Sequence, residues 1–210
     1  MAQVKICGLR DAAHVDAAVT AGARYLGFVF FAKSPRAVSP EQAAALGADV
    51  PPGVARVGLF VNPDDALLTG TLAMAPLDLI QLHGSESPAR VAEVKALTGL
   101  PVIKAVGLAG PADLDALWDH GLVADMLLVD AKPPPDAALP GGNGLAFDWR
   151  LLAGRRPLKP WLLAGGLTAQ NVAEAIRLTG APAVDVSSGV ETAPGVKDAA
   201  LIRAFVAAAG

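Results

Sequence analysis

The chain has 210 residues, 53% of them hydrophobic and only 18% charged, with a formal net charge of −3. That composition suits a sheet buried on both faces, and the mild charge argues against a nucleic-acid or membrane partner. A single cysteine excludes a disulfide scaffold and fits a reducing, cytoplasmic setting, and no apolar stretch approaches the roughly 18 residues of a membrane span. The apolar run before Lys5, Arg10 and Asp11 is too short for a signal peptide.

In chain order, short β-type runs alternate with alanine-rich helical stretches. Strands are predicted at Val4–Cys7, Tyr25–Phe30, Arg56–Val61, Leu79–His83, Val102–Val106, Met126–Asp130, Trp161–Ala164 and Val184–Ser187. Helices are predicted to start near Asp11, Pro40, Pro63, Ser87, Pro111, Phe147, Thr168 and Lys197. Ser39-Pro40 and Asn62-Pro63 each place a capping side chain before a proline. Thr168 is the expected cap of the seventh helix, and Gly99 and Gly180 are expected to close two others.

Strand ends recur about every 25 residues, the size of one βα unit. Eight such units in a row predict an α/β fold of a single domain spanning residues 1–210, a closed (β/α)8 TIM barrel. An open doubly wound sheet is the rival. It would carry a glycine-rich dinucleotide turn after the first strand, where this chain has Cys7-Gly8-Leu9-Arg10. The longest irregular segment, Ala131–Gly144, follows the sixth strand and reads as an active-site loop.

In a barrel the C-terminal strand ends share one rim. Cys7, His83, Asp130, Gly165, Gly166, Asp185 and Ser188 then line one mouth, joined by Arg36 from the second loop. Free cysteine is usually a small buried hydrophobe, but here the thiol sits where a strand meets the functional rim. Asp130 follows an apolar run, and the resulting partial desolvation suits a proton donor. Gly165-Gly166 after the seventh strand and Ser188-Gly189 after the eighth predict a phosphate site, because glycine backbones let N–H groups approach an anion. Arg36 can clamp a carboxylate through its guanidinium fork. His83 is either a ligand contact or a packed histidine that holds the rim together. His14 and His120 fall on helices away from the rim, and Lys104 has unremarkable neighbours in the sequence. No His/Cys/carboxylate spacing suggests a metal, and no lysine has the setting of a cofactor Schiff base, so no cofactor is expected.

These segments together resemble phosphoribosylanthranilate isomerase, a tryptophan-biosynthesis family. The resemblance lies in Lys5-Ile6-Cys7-Gly8, Gly27–Phe30 with Ser34-Pro35-Arg36, Gln81-Leu82-His83-Gly84, and Gly141–Gly144 with Phe147-Asp148-Trp149. It continues through Leu163–Leu167, Asp185–Glu191 and Pro194–Asp198 and covers the whole chain in order. It implies an Amadori rearrangement of N-(5-phosphoribosyl)anthranilate, a small phosphorylated substrate, with Cys7 as general base and Asp130 as general acid. It further implies Arg36 on the anthranilate carboxylate and the two glycine loops on the phosphate, with His83 and Asp185 as further substrate contacts. Ala131 stands where the family pattern has serine, and Asn143 where it has threonine.

A thiol becomes a usable base when cations or N–H groups favour its thiolate. Lys5 is expected to point away from the rim, leaving local amides or ligand charge to do this. Two alternatives differ in class. A related isomerase of histidine biosynthesis would carry aspartate where this chain has Cys7 and would be longer. A barrel that only binds a phosphorylated metabolite would have no use for both a thiol and an acid at the rim.

Overall fold

Side-chain alternation decides which groups this fold brings together. The structure is a computed structural model that describes residues 2–134, 137, 139–142, 144–155 and 157–210. On β1 (Gln3–Cys7), Val4 and Ile6 join the layer between strands and helices, whereas Cys7 belongs to an inner cluster with Val29 and Leu59. The same period of two runs through β2 (Tyr25–Val29), β3 (Ala55–Phe60), β4 (Leu79–Leu82) and β5 (Val102–Leu108). It continues in β6 (Met126–Ala131), β7 (Trp161–Leu163) and β8 (Ala183–Val186). Each strand pairs in parallel with the next, and β8 pairs with β1 through Lys5↔Asp185, closing an eight-stranded barrel. All eight strands fall within a residue or two of their predicted spans.

Seven helices surround the barrel among the described residues: α1 (Ala12–Ala21), α2 (Pro40–Gly47), α3 (Asp65–Met74), α4 (Pro88–Thr98), α5 (Leu114–Gly121), α6 (Val172–Thr179) and α7 (Ala199–Ala209). Ser39 caps α2 in a reciprocal capping box with Gln42. Gly99 and Gly180 close α4 and α6 in the left-handed conformation that glycine tolerates without a Cβ clash.

Four helix starts differ from expectation, the mildest being α5, where a 3-10 turn at Pro111–Asp113 precedes the α-helix at Leu114. Asp64, not Asn62, caps α3, because Asn62 Oδ1 accepts from the Ser85 amide at 2.9 Å instead. α6 begins at Val172, because the Asn171 side chain occupies the preceding turn. Its Oδ1 accepts from the Thr168 amide at 2.8 Å and its Nδ2 donates to the Gly166 carbonyl at 3.0 Å. The helix expected near Phe147 is a 3-10 turn, Trp149–Leu152. Gly154, at φ 70°, and Pro157 leave no room for a longer one.

The barrel floor is filled by Val57, Leu79, Ile103, Leu128, Leu162 and Ala183. After β8 the chain forms a small antiparallel pair, β9 (Glu191–Ala193) and β10 (Val196–Lys197), which sets Glu191 beside Lys197. Among the described residues no helix is long and apolar enough to cross a membrane.

Candidate active site

Lys5 corrects the sequence-based expectation. Residues 5 and 7 are two apart on one strand, so their side chains share the inner face. Lys5 has no exposed surface, and its Nζ bonds Asp185 Oδ1 at 2.7 Å. Burial works to lower the Lys5 pKa, but the neighbouring Asp185 and Cys7 outweigh it and hold the ammonium above its ordinary value. Burial pushes the Cys7 thiol up, Lys5 opposes this, Asp185 adds to it and Lys197 again opposes it, with a net rise.

Asp130 ends the inner face of β6, and its Oδ1 accepts from the Ala131 amide at 2.8 Å. Its Oδ2 lies 3.3 Å from His83 Nε2. Gln81 Nε2 lies 2.9 Å from His83 Nδ1. The ring bridges Gln81 and the Asp130 carboxyl, with its donor and acceptor roles set by its tautomer. His83 therefore orients the carboxyl while also lining the cleft beside it. The loop carrying His83 is anchored below by Lys104, whose partners come from elsewhere in the chain. Lys104 Nζ reaches Glu86 Oε2 and the Gly84 carbonyl, both at 2.7 Å, and Glu86 accepts from the Asn62 and Gly84 amides.

Arg36 is also held in place. Its Nε and Nη2 donate to the two carboxylate oxygens of Glu191, each at 2.8 Å. Lys197 Nζ donates to Glu191 Oε1 at 2.7 Å and to the Ser187 carbonyl at 3.0 Å. Burial raises the Glu191 pKa, but Arg36 and Lys197 reverse this and keep the carboxyl below its usual range. Among the described residues, Nε and Nη2 are engaged, Nη2 also reaching the Gly142 carbonyl at 3.3 Å, and Nη1 is the arm of the fork left for a ligand. It lies toward Gly142, where an added Cβ would sit 2.7 Å from it.

Two clefts meet at the rim. One is lined by Gly165, Gly166, Ser188 and Gly189, and among the described residues the amides of Gly165 and Gly166 have no protein acceptor. Such amides suit an anion. The other is lined by Cys7, Val29, Phe31, Leu59, Val61 and Arg36. Asp130, Asp185 and Gly141–Gly142 border both. Gly141 crosses directly over the acid, where any Cβ would collide with His83 Nε2. Ala131 lines the anion cleft, and Asn143 lies outside the described residues. His14 and His120 sit on α1 and α5, away from both clefts. Among the described residues no cluster of His, Cys, Asp or Glu is placed to hold a metal.

Gln81, Glu86, Glu191 and Lys197 were not singled out individually in the sequence. A period-two count would have placed Gln81 inside the barrel. Glu191 and Glu86 depend on loop geometry that no local pattern encodes.

A parallel barrel with a thiol and a carboxyl at its C-terminal rim, beside a glycine-lined cleft, suits the sugar-phosphate isomerase class of enzyme. Comparison with known proteins narrows the class. Residues 4–208 match the family model described as N-(5'-phosphoribosyl)anthranilate (PRA) isomerase. An N-(5'-phosphoribosyl)anthranilate isomerase of Paracoccus denitrificans is 76% identical over 98% of this chain and 96% of its own. One from Cereibacter sphaeroides is 59% identical over 97% and 96%. The crystal structure of the Thermotoga maritima phosphoribosyl anthranilate isomerase superposes with a TM-score of 0.90 at 36% identity, covering 100% of this chain and 98% of that one. A phosphoribosyl anthranilate isomerase in complex with reduced 1-(o-carboxyphenylamino)-1-deoxyribulose 5-phosphate has a TM-score of 0.87 at 35% identity, with the same coverage. The chain belongs to the N-(5'-phosphoribosyl)anthranilate isomerase family.

Proposed function

We propose that Cys7 and Asp130 are the base and acid of an Amadori rearrangement of N-(5-phosphoribosyl)anthranilate within the two joined clefts. One observation carries this assignment: Asp130 and Asp185 border both an anion cleft and an apolar cleft ending in Arg36. A ligand with phosphate at one end, an aromatic carboxylate at the other and a sugar between them fits that order. The phosphate meets the amides at Gly165, Gly166, Ser188 and Gly189. The aromatic ring packs on Val29, Phe31, Leu59 and Val61, and Arg36 Nη1 takes its carboxylate. The sugar then lies beside Asp130, Asp185 and Cys7.

Protonated Asp130 donates to the furanose ring oxygen. The C1′–O bond breaks, and the nitrogen lone pair forms a Schiff base. Cys7 thiolate removes the C2′ proton to give an enolamine. C1′ then gains a proton as the C2′ hydroxyl loses one, which yields the aminoketose, an isomer of the substrate. Asp185, held by Lys5, is placed to accept from a sugar hydroxyl.

The test is an assay of purified protein on substrate generated in situ, following the loss of its fluorescence. Cys7→Ser and Asp130→Asn should each lower kcat by about 10²–10⁴-fold, the usual share of a general acid or base. Near-native turnover in either folded variant would overturn its assignment.

A further inference from the structure

Lys5 is fully buried, and the reaction scheme gives it only a tie to Asp185. A buried ammonium is costly unless nearby charge compensates it. Here it stands one inner-face position below Cys7. Gly27 on the neighbouring strand pairs with Cys7, and a Cβ added to it would lie 2.9 Å from Cys7 Sγ and 3.2 Å from Lys5 Nζ. The missing side chain is therefore the gap into which thiol and ammonium both project.

We propose that Lys5 is a positioning residue for the base, its ammonium holding the Cys7 thiolate while Asp185 limits how much of that charge the thiol feels. The proposal rests on Cys7 being the base. An opposite charge within a few ångström favours the ionised form, most strongly where water is excluded. Without Lys5 the thiol would titrate higher still. Without Asp185 an unneutralised Lys5 would draw it lower, giving more thiolate but a weaker base. The pair sets the compromise between amount and strength of base.

Other charges face the thiol as well. Lys197 acts from β10 in the same direction as Lys5. Arg36, His83 and Asp130 share the cleft, with Arg36 bound to Glu191 and His83 beside Asp130. Lys5 is the strongest of the influences that oppose burial, and Asp185 is the next influence, of opposite sign.

Cys7 is the only cysteine in the chain, so its ionisation can be read from absorbance near 240 nm after subtracting the Cys7→Ser protein, which removes the tyrosine background. The ligand-free full chain is titrated. Lys5→Met should raise the thiol midpoint by about one pH unit or more, and Asp185→Asn should lower it by a similar amount. If Lys5→Met does not fold, the double variant Lys5→Met/Asp185→Asn removes both buried charges, and its midpoint should lie above the native one. Lys5→Arg should restore most of the native midpoint. In each folded variant the limb of kcat/KM that matches the thiol titration should move with it, which a merely structural lysine would not cause. Unmoved midpoints in Asp185→Asn and in the double variant would overturn the proposal. Because the titration uses no substrate, that failure is separate from failure of the base assignment, which near-native turnover in Cys7→Ser would reveal.

Discussion

The layer outside the barrel and the space inside its rim are built on opposite principles. Outside, Ile6, Leu26, Phe28, Leu68, Val91, Ile202 and Phe205 pack strand against helix with almost no exposure, and apolar burial alone stabilises them. Inside, the same strands present Lys5, Gln81, Asp130 and Asp185, polar groups buried in a setting where each unpaired one would be costly. The inner groups are tied to one another: Lys5 with Asp185, Asp130 with His83, and His83 with Gln81. Replacing such pairs with apolar residues is often neutral or stabilising in other proteins. Their place at one end of the barrel, where the ligand clefts open, points to chemistry as the reason for them.

Substitutions should separate the two regions. The largest effect should come from the rim. Asp130→Asn should lower kcat by about 10²–10⁴-fold while thermal unfolding followed by circular dichroism stays close to native. Phe205→Ala should do the reverse, costing about 3–5 kcal/mol in denaturant unfolding while the folded fraction keeps its kcat. A large loss of kcat in folded Phe205→Ala would dissolve the contrast.

Intermediate effects should come from residues that act through others. Glu191→Gln removes the charge that fixes Arg36 and Lys197. KM should rise about tenfold, since one charge-assisted contact is worth roughly 1.5–3 kcal/mol, with a smaller change in kcat. The Glu191 carboxyl is held below its usual range, so its contribution to stability is present above the unfolded-state value. That contribution should be lost as pH falls through the folded value, and native and variant stabilities should converge in acid.

The smallest effect should be at the anion cleft. Inorganic phosphate should raise the native melting temperature by a few degrees, as mass action requires of a ligand bound only to the folded state. Gly166 has φ 63°, and an added Cβ would lie 2.9 Å from the Ala146 amide nitrogen. Gly166→Ala should therefore abolish the phosphate response. A retained response would place the anion elsewhere.

How much of this was legible in the sequence follows the same division. The eight strands were readable because each is a short apolar run between helical stretches. Cys7 and Asp130 were readable because each ends such a run. The inner face was harder. Lys5 was expected to face away from the rim by strand alternation, but alternation counted from Cys7 puts residue 5 on the same inner face. The partners of Arg36 and Lys104 were not legible. Glu191 lies 155 positions from Arg36, and Glu86 reaches Lys104 only because β4 and β5 are neighbours. Asn62-Pro63 failed as a cap because the Asn62 side chain bonds across to the next loop, a competition visible only in three dimensions.

The most direct test of the division of labour is the pH dependence of kcat/KM in the native protein and in Cys7→Ser. The base form of Cys7 grows with pH while the proton that Asp130 must donate is lost, so native kcat/KM should be bounded by two limbs, one of them set by the thiol. That limb should track the thiol titration measured without substrate. Cys7→Ser, folded by circular dichroism, should be at least about 10²-fold slower and should lack that limb. A Cys7→Ser protein with near-native turnover and an unchanged pH profile would contradict the account.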